Sequence, residues 1–208
     1  MSLYLLRRTA LVALPFLFAS APASAHHVMG GRTPSTFMEG LLSGLGHPVI
    51  GPDHLAFLVA IGVVVGVGGL NLALPAVFVV AMAIGVAVHV EGIGLPAAEI
   101  MVALSVLLAG ILIARGRALP VAAWTALFVA AGFFHGYAFG ESIYGAETSP
   151  LDAYLLGLIV IQIAITVGVA LVARRMGAHL SELTPRLAGA VIIGVGFTAL
   201  IGQLVPAP

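Results

Sequence analysis

The chain has 208 residues, 61% of them hydrophobic and only 8% charged, and a mean hydropathy of +1.19; a soluble domain carries roughly 25% charged residues, so this is an integral membrane protein. Its eight basic residues are all arginines and balance eight acids at a formal net charge of zero, which leaves no basic patch for nucleic acid. The absence of cysteine excludes disulfides, CxxC redox chemistry and thiolate metal sites. Any bound metal must use imidazole, carboxylate, thioether or backbone oxygen.

Residues 1–25 have the three parts of a secretory signal: Arg7 and Arg8, an apolar run from Thr9 to Ala19, and Ala23-Ser24-Ala25 as a small-x-small cleavage site. The twin arginines are followed by a poor match to a Tat signal, so a general secretory signal is expected, with an uncleaved first helix as the other reading. In both cases the next segment begins outside the cytoplasm. Cleavage before His26 would place His26 and His27 at a free amino terminus able to chelate a metal, against the plainer outcome of a flexible tail.

Residues 35–46, with Glu39, Ser43 and three glycines, are too short and too polar to span, and read as a short helix lying on or dipping into the outer face. Pro48 and Pro52, flanked by Gly46 and Gly51, prevent an ordinary continuous helix across 46–52. The lead-in to the first spanning helix is therefore discontinuous. A hydrocarbon core about 30 Å thick needs about 20 apolar residues per helix. That ruler gives a single transmembrane domain over 26–208 with six helices, at about 52–69, 72–91, 95–114, 119–140, 151–173 and 187–205. Gly68-Gly69-Leu70-Asn71 and Gly92-Ile93-Gly94 supply turns, Pro75, Pro96 and Pro120 sit near helix starts, and Arg115-Gly116-Arg117 is too polar to bury. The runs do not alternate as barrel strands do, so the expected fold is an all-α bundle.

With an outside start, Arg115, Arg117, Arg174, Arg175 and Arg186 fall in cytoplasmic loops and only Arg32 lies outside, which agrees with the positive-inside rule. Both termini of the mature chain are then expected on the outer, periplasmic side. On this topology His47, Asp53 and His54 lie at the outer end of the first helix, His89 and Glu91 at that of the second, Glu99 just within the third, and His135 and Glu141 in the outer part of the fourth. Glu147 and Asp152 sit in the outer loop or at its edge and carry little weight; His179 and Glu182 lie inside. At about 1.5 Å per residue, Glu99 and His135 reach similar depths. One buried histidine most often just hydrogen-bonds a neighbouring carbonyl, but several ionisable groups at one depth on three helices point to a shared site.

Imidazole and carboxylate without thiolate suit nickel, cobalt, zinc or iron(II) and argue against copper(I). Gly132, Gly136 and Gly140 form a ridge expected to pack closely on another helix and hold His135 there, with Gly62 and Gly66 a weaker copy. His89 and Glu91, like His26 and His27, are secondary metal candidates.

Two motifs give these residues a resemblance. His47-Pro48-Val49-Ile50-Gly51-Pro52-Asp53-His54 matches HPxxGxDH, and Phe134-His135-Gly136-Tyr137-Ala138-Phe139-Gly140-Glu141 looks like a second signature, FHGxAxGxE. With six helices and Glu99 followed by a Ser-Val-Leu-Leu segment, the chain resembles the HupE/UreJ family of hydrogenase and urease accessory proteins. The resemblance implies nickel uptake across the inner membrane, with cobalt in some relatives. It also implies functional roles for His47, Asp53, His54, Glu99, His135 and Glu141. Phe139 stands where many relatives have a second histidine, which leaves the metal preference open.

The expected protein is a permease, not an enzyme, and needs no cofactor besides the transported ion. Its expected partners are a divalent metal ion and the lipid bilayer, with self-association into a homo-oligomer and a link to hydrogenase or urease maturation as further expectations. No Walker A motif is present, and proton coupling through Glu99 or His135 stays open. The rival readings are a metal sensor or donor that does not transport and, less well supported without HExxH or GxSG, an intramembrane hydrolase. In the inner half, Ser105, Gln162 and Thr166 are scattered polar groups from which no exit route can be read.

Overall fold

The computed structural model describes residues 32–177, 181 and 183–205. The proposed signal peptide, His26, His27, His179 and Glu182 lie outside the described residues. Among those described, every regular element is a helix: α1 (Phe37–Ile50), α2 (Pro52–Val67), α3 (Pro75–Val90), α4 (Ala98–Arg115), α5 (Val121–Glu141), α6 (Thr148–Gly177) and α7 (Leu183–Leu204). The protein is an all-helical membrane protein. Helices α2 to α7 correspond to the six expected spans, with ends within four residues of those read from the sequence.

The spans are less uniform than expected. Helices α4 to α7 are each long and apolar enough to cross a membrane, whereas α1 and α2 qualify only as a pair bent by 77°, and α3 has just 16 residues. By length and composition there are four such spans among the described residues, or five with the bent pair, where six were expected. Helix α3 begins later than expected, at Pro75, whose missing N–H costs no intrahelical bond at a first position, and α2, which opens on Pro52 as expected, stops short at Gly68.

The break is also sharper than expected. Helix α1 runs through Pro48 to Ile50, and only Gly51 departs from helical geometry, at φ −76° and ψ 107°. Pro48 lies inside the helix and forgoes the N–H bond that another residue would make to the Gly44 carbonyl. The start of α1 is fixed by Thr36, whose hydroxyl accepts the Glu39 N–H at 3.2 Å, while the Glu39 carboxylate accepts both the N–H and the hydroxyl of Ser35 at 2.8 Å. This is a close variant of the capping box.

Helix α1, expected to lie on or dip into the outer face, packs against α6. A Cβ added to Gly40 would lie 2.2 Å from the Pro150 carbonyl oxygen, and one on Gly44 would lie 2.1 Å from that of Tyr154. The contact continues along α2, where Gly62 meets Thr166 and Val169 and Gly66 meets Ala170 and Ala173. The bent pair thus follows α6 in one direction, α1 along its first half and α2 along its second. The predicted ridge on α5 does pack closely, and its partner is α3: Gly132 rests on the Phe78 carbonyl, Gly136 on that of Met82, and Gly85 in return on that of Phe133. Gly110, Gly189 and Gly196 make the same kind of seam between α4 and α7. Lipid offers no hydrophobic drive between helices, so backbones gain dispersion contact by approaching where side chains are smallest.

Candidate metal site

His47 stands in the last turn of α1 and Asp53 and His54 in the first turn of α2. The break at Gly51 therefore puts all three at the junction of two half-helices. Gly51 is required for space: a Cβ there would sit 2.7 Å from Cδ2 of His54 and 3.4 Å from Oδ1 of Asp53. Asp53 and His54 thus stand at the end of the first span where the sequence reading put them, and α1 carries His47 alongside the first half of α6. Tyr154, which touches His47, is about 9 Å into α6 at about 1.5 Å per residue.

Three imidazoles meet at this junction. His54 Nδ1 lies 2.8 Å from His135 Nδ1, and the His47 and His54 rings are 5.8 Å apart in an edge arrangement. His47 and His54 are each 2% exposed, and His135 is fully buried. Phe139 packs between the first two, its ring 4.9 Å from His47 and 4.3 Å from His54. The Asp53 carboxylate accepts the His54 backbone N–H at 2.9 Å, holding the first turn of α2.

The hydrogen-bond network assigns the tautomers. The Ser105 hydroxyl donates to the Val102 carbonyl at 2.7 Å, so at 3.0 Å it accepts from Nε2–H of His135. His135 Nδ1 is then the acceptor nitrogen, and His54 Nδ1–H donates to it. On the other side, the Tyr154 hydroxyl donates to the Phe139 carbonyl at 2.8 Å and accepts from His47 Nδ1–H at 2.9 Å. Neutral imidazole is the form that ligates metals.

Glu99 and Glu141 sit in the first turn of α4 and the last of α5. They line a cavity of about 340 Å³ together with His89, Tyr137 and Gln203. Glu99 is within electrostatic reach of both Asp53 and Glu141, so the cavity and the histidine junction are linked by carboxylates. Ala97, which also lines the cavity, has φ 61°, a left-handed geometry that is strained for alanine and that aims the start of α4. The Tyr137 hydroxyl donates to the Ile93 carbonyl and accepts from the Leu95 N–H, tying the α3–α4 turn to α5. The His89 ring packs 4.5 Å from that of Tyr137, and its buried Nδ1 has no hydrogen-bond partner among the described residues. Glu91 caps α3, is exposed and stands outside the cavity lining.

The predicted residues therefore form a histidine junction with Asp53 and an outer acidic cavity with Glu99, Glu141 and His89. Among the described residues no three His, Asp or Glu side chains converge on one metal position. Three further polar residues belong to the site. Ser105, which looked like an isolated inner-half group, is the partner of His135; Tyr154, buried in an apolar helix, is the partner of His47. Ser142 is the third. The signature FHGxAxGxE has nine positions, so counted from Phe134 it ends on Ser142, not Glu141, and Ser142 is 7% exposed and hydrogen-bonds Tyr154.

The family profile described as HupE / UreJ protein matches residues 14–199. Protein HupE of Rhizobium leguminosarum bv. viciae is 30% identical over 184 residues, covering 87% of this chain and 92% of that one. No solved structure matches.

Proposed function

The chain belongs to the HupE/UreJ family, and from that premise we propose that it carries a divalent transition-metal ion, nickel first and cobalt next, inward across the bacterial inner membrane by facilitated diffusion. The observation that carries this reading is the contact of His54 with His135, with His47 beside His54, at a broken helix inside the bundle. Interrupted helices at membrane depth line substrate sites in transporters, because their loose backbone ends need a polar surrounding.

The ion arrives from the periplasm at the cavity of Glu99 and Glu141, whose carboxylates concentrate cations and begin to replace the hydration shell. It then moves to the imidazoles. Two nitrogens bound at about 2.1 Å and subtending a right angle on one metal are about 3.0 Å apart. His54 Nδ1 and His135 Nδ1 are 2.8 Å apart, so a tilt of the rings, with the His54 proton moved from Nδ1 to Nε2, would leave both Nδ1 lone pairs to admit the ion. Two charges moving into an inside-negative cell gain about 4.6 kcal/mol per 100 mV, which needs no nucleotide. In this topology both mature termini are periplasmic, and the transported ion serves the maturation of a nickel enzyme such as a hydrogenase or urease.

The test is uptake of radioactive nickel and cobalt into proteoliposomes, wild type beside His54→Ala. The variant is expected to lose about 100-fold in initial rate. Wild-type protein that binds the ion yet shows no flux would replace the permease by a sensor or accessory role.

A further inference from the structure

Gln162 lies at the middle of the 30-residue α6 and is fully buried, yet neither its Nε2 nor its Oε1 has a hydrogen-bond partner among the described residues. Burying an amide unpaired costs free energy, and buried polar groups almost always find partners. A leucine of similar size would fill the same place without that cost. The neighbouring turn repeats the theme: Thr166 is also fully buried, and its hydroxyl donates to the Gln162 backbone carbonyl at 2.7 Å, which leaves its lone pairs as oxygen donors.

The position of this pair gives it a use. Tyr154, Leu158, Gln162 and Thr166 form one buried stripe, four residues apart, on α6. At its outer end Tyr154 holds His47; at its inner end the backbone carbonyl of Thr166, with Val169, lies against Gly62 of α2. Gln162 stands between them, about 12 Å inward of Tyr154 at about 1.5 Å per residue. An ion released from the histidine junction has to cross this level with part of its water gone.

We infer that Gln162, with Thr166 beside it, is a second ion-binding station in mid-membrane, its side-chain carbonyl oxygen taking over from the imidazoles as the divalent cation moves inward. The inference rests on the transport reading and extends it past the histidines. A neutral oxygen donor suits this place: it replaces hydration without holding the ion as an imidazole or carboxylate would, and conduction needs sites the ion can leave. The amide is unpaired because its partner is the passing ion or the water that travels with it.

The chain has no cysteine, so Gln162→Cys introduces a single thiol without background. In proteoliposomes that thiol is expected to react with a cationic methanethiosulfonate, and excess cobalt is expected to slow the reaction about tenfold, while Val160→Cys on the outward face stays inert. Gln162→Leu is expected to unfold at a temperature no lower than wild type and to keep cobalt binding at the histidines, yet to lose about tenfold or more in nickel uptake. Wild-type uptake by Gln162→Leu, or a Gln162→Cys thiol indifferent to reagent or to cobalt, would overturn the inference and leave the permease reading standing. If wild-type protein itself carries no ion, the permease reading falls, and cobalt protection of Gln162→Cys alone decides whether the station exists.

Discussion

The histidine junction and the Gln162 level differ in how their polar groups are held. At the junction, His135 is gripped by His54 and Ser105, and His47 by Tyr154; one level inward, Gln162 is equally buried and has no partner among the described residues. A ligand set that must select an ion benefits from rings fixed in advance, since the cost of ordering them is met on folding. A level the ion only crosses needs donors that are available and weak. On the transport reading proposed above, the contrast is between a site that chooses and a site that releases.

That contrast can be broken from the outer side. Gly136→Val would push a side chain into the Met82 carbonyl, 2.0 Å from where even its Cβ must lie. Separating α5 from α3 displaces the neighbouring His135, and thermal unfolding in detergent should show a loss of about 1–3 kcal/mol or more, with uptake lost as well. Full stability in this variant would mean the seam does not hold the junction. Ser105→Ala has a smaller reach. It leaves His135 Nε2 without its acceptor, making a junction nitrogen as unpartnered as the Gln162 amide, and metal affinity measured by calorimetry should weaken about tenfold. Ser105→Thr, which keeps the hydroxyl, should restore most of it. The smallest effect belongs to Tyr154→Phe, which removes the hydrogen bonds to His47 and to the Phe139 carbonyl. A stability loss of about 1 kcal/mol with only a few-fold change in uptake is expected. An equal loss of uptake from Tyr154→Phe and Ser105→Ala would place His47 on the same footing as His135.

Much of the fold was legible because lipid allows so few solutions. The length of each apolar run, the prolines at helix starts and the arginine loops located α2 to α7 to within four residues. The glycine ridge on α5 announced a close contact but could not name α3 as its partner, since spacing reports a face and not what covers it. The packing of the lead-in was hidden for a related reason. Residues 35–46 read as too short and too polar to span, and nothing local shows that Gly40 and Gly44 let α1 press against the α6 backbone, with Ser43, at 2% exposure, buried beside them.

The sequence by itself determined the material of this protein: a helical membrane chain, nitrogen and oxygen donors in place of sulfur, and two motifs that carry histidines. Those follow from composition and local spacing, which depend on short stretches of chain alone. Tertiary structure decided which donors meet. The pairing of residues 54 and 135, the supporting roles of Ser105 and Tyr154, the separate acidic cavity and the unpartnered amide of Gln162 all arise from how helices distant in sequence are brought together by glycine-to-backbone contact, and no local pattern encodes that.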